Sequence, residues 1–372
     1  DKSQCFGGKG SRKEESLSFG LNEKMHKAIT MIQLKLEGQL AKENPEFGME
    51  GRCLLDKINY ESGQVEIAGK WYSMRDLDFP TVDRKHPYEL SDKEKVLMDK
   101  LTASFTNSEK LQRHVNFLLK QGSLYKIYNG NLLYHGCMPM NEDGSFKKVK
   151  VYGGEYKGKM LYDVLENYVR RAFFALDETE RRKGSNIMWF LWCAPGSPLF
   201  GRDKMATFER YFLKEEEVYK ETKDAYYGLL DDPKTADRIL EEFGLSGNGS
   251  HIINGHVPVH QNKGESPVKC GGKMLIIDGG FSKAYHKETG IAGYTLIYNS
   301  YGMMLTAHEP FESAEAAVLK EQDIVSRRVA VEYSMKRLLV GDTDNGKRIQ
   351  KRIAELKELI QAYRRAEIKE KG

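Results

Sequence analysis

The 372 residues suffice for two domains or one large domain with helical attachments. With 58 Lys+Arg against 54 Asp+Glu the formal charge is only +4, so charge gives no reason to expect a nucleic-acid or membrane partner. Hydrophobic content of 40% with 20 tyrosines argues for a folded chain, and five scattered cysteines (Cys5, Cys53, Cys137, Cys193, Cys270) without a Cys-x-x-Cys pair argue against a disulfide framework or structural zinc and for a reducing cytoplasm.

The chain opens without an initiator Met, an apolar signal core or an entry into a first element, and reads as a cut end of a longer protein. Residues 1–20, rich in Gly, Ser and Lys, are expected to be irregular. From Asn22 to about Lys42 the apolar set Met25, Ile29, Ile32, Leu36 and Leu40 recurs every three to four residues, predicting an amphipathic helix. Residues 53–75 alternate and break at Glu61-Ser-Gly-Gln64 and Ala68-Gly-Lys70, as a small antiparallel meander would. Ser91-Asp-Lys-Glu94 is a capping-box opening for a helix, and another helix is expected from about Ser108 to Lys120. Two Tyr- and Leu-rich runs joined by Asn129-Gly130 predict a hairpin over Ser123–Tyr134 that delivers His135.

Gly158–Arg182 reads as one helix carrying Arg170 and Arg171. It is followed by the apolar run Ile187–Ala194, far short of the roughly 18–20 residues of a membrane span, and by the loop Pro195–Gly201. Helical stretches around 203–213 and 234–243 lead to a strand that ends at His256. Lys273–Asp278 predicts another strand, with an Asp-Gly-Gly turn at Asp278, and Ala292–Ala307 a hairpin turning at Asn299–Gly302. In the tail, Ile349, Ile353, Leu356, Leu359, Ile360 and Tyr363 form a stripe; a packed terminal helix is the expectation, with a coiled coil as the alternative.

His135 and His256 each follow a buried strand and adjoin glycine, the placement from which strand ends supply metal ligands. Either alone reads more readily as a hydrogen-bonded core histidine, but two such sites, with the Asp-Gly-Gly turn at Asp278 after the second, shift the balance toward a metal site. If both are ligands of one ion, their ring nitrogens should lie within roughly 3–5 Å. Phosphate would need cations nearby, and Arg170, Arg171, Arg202, Lys204, Arg210 and Lys283 all lie in or beside these loops. Tyr294, Tyr298 and Tyr301 read as hairpin packing. Gly341-Asp342-Thr-Asp344-Asn-Gly346 only superficially resembles a metal loop and is better read as a helix N-terminal cap. Asn248-Gly-Ser-His251 is a loose likeness to a Gly-Asn-His element, with His251 beginning a strand.

The stretch from Met25 to Tyr363 resembles the C-terminal part of class 3 fructose-1,6-bisphosphatase, a bacterial enzyme of the calcineurin-like metallophosphoesterase superfamily. The likeness rests on long strings: Phe105–His114, Tyr128–Gly136, Ser197–Gly201, Thr207–Tyr211, His251–His256, Ile277–Tyr285 and Thr289–Tyr301. It implies an α/β fold, part of a calcineurin-like metallophosphoesterase β-sandwich with helical insertions. The segments would be an irregular end over 1–20, an inserted helical region with a meander over 21–122, the C-terminal part of the phosphoesterase domain over 123–310, and a helical segment over 311–372. The superfamily's late His-Gly and Gly-His motifs fall on His135 and His256, which would bind one metal of a two-metal pair, with Mn²⁺ the expected ion. The earlier motifs (Asp-x-His, Gly-Asp-x-x-Asp-Arg-Gly and Gly-Asn-His) are absent, and the catalytic residues they carry are expected upstream of Asp1.

The resemblance thus implies hydrolysis of the 1-phosphate of fructose 1,6-bisphosphate in gluconeogenesis by a hydroxide bridging two metals. Arg170, Arg171, Arg202 and Lys204 are assigned to a sugar-phosphate clamp from charge and placement alone. A phosphatase of the same superfamily acting on dinucleoside polyphosphates or phosphoproteins, and a non-catalytic regulatory or assembly module, are the alternatives. The oligomeric state stays open, a homo-oligomer included.

Overall fold

A computed structural model describes residues 12–245, 249–280, 282–311, 313–321, 326–333 and 336–368. Cys5 and Asn248 lie outside them. The first helix, α1 (Arg12–Glu43), begins well before Asn22, so residues 12–20 are helical and not irregular as expected; Arg, Lys, Glu and Leu in this stretch are all good helix formers. Its buried face also differs from the expected stripe. Met25 and Ile29 are exposed, and burial begins near Thr30, where Met31, Ile32, Leu34 and Leu40 enter the core.

The meander forms as β1 (Ile58–Asn59), β2 (Gln64–Ile67) and β3 (Lys70–Ser73), antiparallel throughout. Helix α2 (Asp92–Thr106) opens with the full capping box: the Ser91 hydroxyl accepts from Glu94 N–H, and the Glu94 carboxylate accepts from Ser91 N–H at 2.8 Å. That carboxylate also binds the buried Lys35 ammonium at 2.7 Å, tying α2 to α1. Ser108 caps α3 (Glu109–Gln121). The hairpin β4 (Tyr125–Tyr128) and β5 (Asn131–Tyr134) turns through Asn129 and Gly130 at φ +49° and +76°, the left-handed pair that a type I′ turn requires.

A short hairpin, β6 (Val149–Val151) and β7 (Gly154–Tyr156), precedes α4 (Gly158–Phe174) and α5 (Glu178–Cys193). The single helix expected over Gly158–Arg182 is two antiparallel helices. Asp177 accepts from Glu180 N–H and starts α5 afresh, and the apolar run is the end of α5, with Ile187, Phe190, Leu191 and Cys193 buried and Met188 and Trp192 exposed. Gly184 lets the pair approach closely: a Cβ there would sit 2.4 Å from the backbone of both Tyr168 and Ala172.

The remaining elements are α6 (Thr207–Phe212), α7 (Pro233–Glu242), β8 (Ile252–Asn254), β9 (Val268–Lys269), β10 (Met274–Ile276), α8 (Lys283–Thr289), β11 (Gly293–Asn299), β12 (Gly302–His308), α9 (Ala314–Lys320), β13 (Ser326–Tyr333) and α10 (Asp344–Arg364). Of the stretch around 203–213, only α6 is helical. No helix among the described residues is long and apolar enough to cross a membrane.

The main sheet runs β4-β5-β8-β10-β9, and β5, β8 and β10 are parallel neighbours, Leu132 and Met274 both pairing with Ile252. Alternate residues of these strands face opposite ways. Leu132, Ile252 and Met274 share a core with Tyr162 of α4 and Ile239 of α7, whereas Ile253 and Leu275 pack on Met303 of the antiparallel β11-β12-β13 sheet. The fold is thus mixed α/β. A second core gathers α1, the meander, α4, α5 and α6 around Phe47, Leu54, Phe190 and Phe208. Among the described residues β5 and β8 are interior strands of this sheet, flanked by the β4 hairpin arm and β10, and β4 and β9 are its edges.

Helix α10 corrects the packed-helix expectation. Ile349, Ile353, Leu356, Leu359, Ile360 and Tyr363 are all exposed, and among the described residues the bonds that tie the helix to the body lie in its first turn.

Candidate metal centre

Parallel pairing of β5 with β8 carries the C-terminal ends of both strands to the same rim of the sheet, the usual place for ligands in such sheets. His135 follows β5 directly and His256 follows β8 by one residue. The two rims are stitched by Gly255 N–H donating to His135 carbonyl at 3.0 Å. His256 holds φ +69°, a left-handed backbone that non-glycine residues rarely adopt and that clusters at functional sites. Gly136 is required for packing: a Cβ there would meet the Pro198 carbonyl oxygen at 2.4 Å.

The two imidazoles converge. His135 Nε2 lies 3.0 Å from His256 Nδ1, with the rings at 70° to one another. His256 Nε2 contacts the Phe200 carbonyl at 3.2 Å. A carbonyl can only accept, so Nε2 carries the proton and Nδ1 keeps its lone pair toward His135. Burial, then the neighbouring His135 and Arg202, hold the His256 imidazole below the usual histidine range against the opposing pull of the Phe200 carbonyl and Asp278. A neutral imidazole with a free lone pair is the form that ligates metal.

Behind the pair is a buried polar network that sequence reasoning did not find. Asn254 Nδ2 donates to Gly136 carbonyl at 3.1 Å and to the Tyr226 hydroxyl at 2.6 Å, and Tyr226 meets Tyr134 at 2.9 Å. The one available signal was an Asn ending an otherwise apolar strand.

In front is a cavity of about 730 Å³, apolar over much of its wall (Met188, Trp192, Phe200, Met205) and bordered by His135, His256, Arg202 and Glu221. Of the four clamp candidates, the structure brings only Arg202 to the histidines. It pairs with Glu221 at 2.6 Å, and the Glu221 carboxylate also accepts from Ala206 N–H at 3.0 Å and Arg210 at 3.4 Å. Arg170 instead binds Glu166 and the Leu119 and Gly122 carbonyls, pinning the end of α3 to α4, in a separate depression. Arg171 pairs with Glu180 across the α4–α5 turn. Lys204 is held by Val218 carbonyl at 3.0 Å and Glu209 at 3.5 Å, beside the buried Arg52–Glu209 pair.

The remaining sequence candidates have structural places. Tyr294 is buried, while Tyr298 and Tyr301 are exposed on the β11–β12 hairpin. His251 precedes β8, and Thr343, flanked by Asp342 and Asp344, caps α10. Among the described residues no group of three or more His, Cys, Asp or Glu is arranged to hold a metal ion.

The sequence model described as Firmicute fructose-1,6-bisphosphatase matches residues 1–365. The chain belongs to this family. It is 53% identical over 353 residues to the class 3 fructose-1,6-bisphosphatase of Clostridium botulinum strain Loch Maree, covering 95% of this chain and 53% of that one. It is likewise similar to the enzymes of that name from Clostridium tetani (52% identical; 94% and 53% covered) and Clostridium acetobutylicum (53%; 93% and 52%). The chain therefore spans about half the length of the curated relatives it matches. No solved structure matches it.

Proposed function

We propose that this chain carries the histidine part of a two-metal phosphatase centre, in an enzyme that converts fructose 1,6-bisphosphate to fructose 6-phosphate and phosphate in gluconeogenesis. The converged His135–His256 pair carries this reading. Two nitrogen donors about 2.1 Å from an ion and about 90° apart would be about 3.0 Å from each other, which is the separation found. Two imidazoles can contribute to the coordination of a hard divalent ion such as Mn²⁺ only where oxygen ligands from elsewhere complete it. Such an ion, once bound, supplies Lewis acidity toward a phosphoryl oxygen.

The chain's own residues do the rest of what can be assigned. His256 is held in one tautomer by Phe200, and the Gly255–His135 bond fixes the distance between the ligands. Arg202 presents a permanent positive charge at the cavity, suited to a phosphate oxygen, while Glu221 keeps it in place. The apolar wall around Trp192 and Phe200 limits water at that rim. Equilibrium dialysis of Mn²⁺ tests the reading. Weak binding near one ion per chain is expected, lost on His135→Ala and on His256→Ala; binding that survives both substitutions would remove the histidines from the site.

A further inference from the structure

Among the described residues, helix α10 is tied to the body at its N-terminal end. The Thr343 side chain accepts from Gly346 N–H, and the first turn is locked to the β4–β5 turn by a reciprocal pair: Asn129 N–H donates to the Asp344 carboxylate at 2.6 Å, and Asp344 N–H donates to the Asn129 side-chain oxygen at 3.0 Å. Asn345 adds a bond to the Tyr128 hydroxyl at 3.1 Å. Beyond that turn six large apolar side chains stand 42–51% exposed. Ile349, Ile353, Leu356, Ile360 and Tyr363 follow one another at spacings of four and three, the seam of a coiled coil, and Leu359 flanks it. A lone helix of this length is marginal in water, and a contiguous exposed stripe marks an interaction face.

We propose that α10 pairs with α10 of a second copy of this chain as an antiparallel coiled coil. Three observations select that occupant and that direction. The seam is complementary to itself when reversed: Ile353 then layers on the partner's Leu356, and Ile349 on the partner's Ile360, leaving no seam position from 349 to 360 unpaired. The flanks agree. A parallel copy would set Arg352 against the partner's Lys357, whereas reversal sets Arg352 beside the partner's Leu359 and Lys357 beside the partner's Gln350. The attachment also agrees, because among the described residues each helix is bonded to its body through its N-terminal turn. At 1.5 Å per residue the helix is about 30 Å long, so reversal puts the two bodies at opposite ends of the pair. A parallel copy would drive both β4–β5 hairpins into one place.

Light scattering on the chain across a dilution series tests the pairing. Twice the chain mass is expected, falling to one chain for Leu356→Glu, a change at a 42% exposed position that leaves the body's cores untouched. Direction is read by a short bis-maleimide: a mixture of Gln350→Cys and Lys357→Cys chains should cross-link, neither variant should do so alone, and the unsubstituted chain is the blank. A parent chain that stays monomeric at every concentration, a Leu356→Glu chain that stays dimeric, or a mixture that links no better than its components would each overturn the proposal.

Discussion

His256 and Glu37 show how far single side chains set the behaviour of this protein with pH. Because the fold holds the His256 imidazole below its usual range, the unfolded chain binds a proton there before the native state does. Stability from this group is therefore present above about pH 6.5 and is lost on acidification. Mn²⁺ binding should weaken over the same interval, and calorimetric titration at a series of pH values would check it. Glu37 runs the other way. Burial, opposed by Arg52 at 3.5 Å and reinforced by repulsion from Glu209, pushes its carboxyl up to about 7 from 4.5. The native state takes up a proton in that window that the unfolded chain does not, so its contribution is full below the lower value and lost as pH rises through about 7. Glu37→Gln should flatten that limb of a Tm-against-pH profile. The histidines were legible in the sequence because a strand end beside glycine is a local signal. Glu221 and Asn254 were not, since their partners Arg202, Ala206, Gly136 and Tyr226 are brought to them only by the folded chain.

Among elements, those with their own punctuation read well. Ser91, Ser108 and Asn129-Gly130 each announce a boundary chemically, and α2, α3 and the β4–β5 hairpin begin or turn where they say. Ser91→Ala should cost about 1 kcal/mol in a denaturant melt, as one orphaned N–H loses its acceptor. The division of α4 from α5 was harder to see because Ala175-Leu-Asp177 carries no Gly or Pro. What makes the pair is Gly184 at the crossing, and Gly184→Ala should lower stability by about 1–3 kcal/mol, because the atoms it meets are backbone and cannot rotate aside. An unchanged melting temperature would show that the two helices can separate without loss. The stripe on α10 was legible as a stripe, but periodicity reports that a face wants burial and not what buries it.

At the scale of the whole molecule, no carboxylate joins the two histidines in a metal-holding group among the described residues, and two imidazoles alone make a poor site for a hard divalent ion. This chain by itself is accordingly expected to release negligible phosphate from fructose 1,6-bisphosphate in the presence of Mn²⁺. Turnover on a par with full-length relatives would mean that ligands within the chain have been overlooked. The reciprocal bond between Asn129 and Asp344 spans 215 residues of sequence and bears on the order of folding. A hairpin can close in microseconds on its own, whereas joining points so far apart waits for the intervening chain. The turn is thus expected to form before its second partner arrives, with α10 docking onto an already folded surface. Asn129→Gly would keep the left-handed turn while removing the side-chain acceptor for Asp344 N–H. Early steps should then proceed at their normal pace while amide exchange rises selectively in the first turn of the last helix to dock.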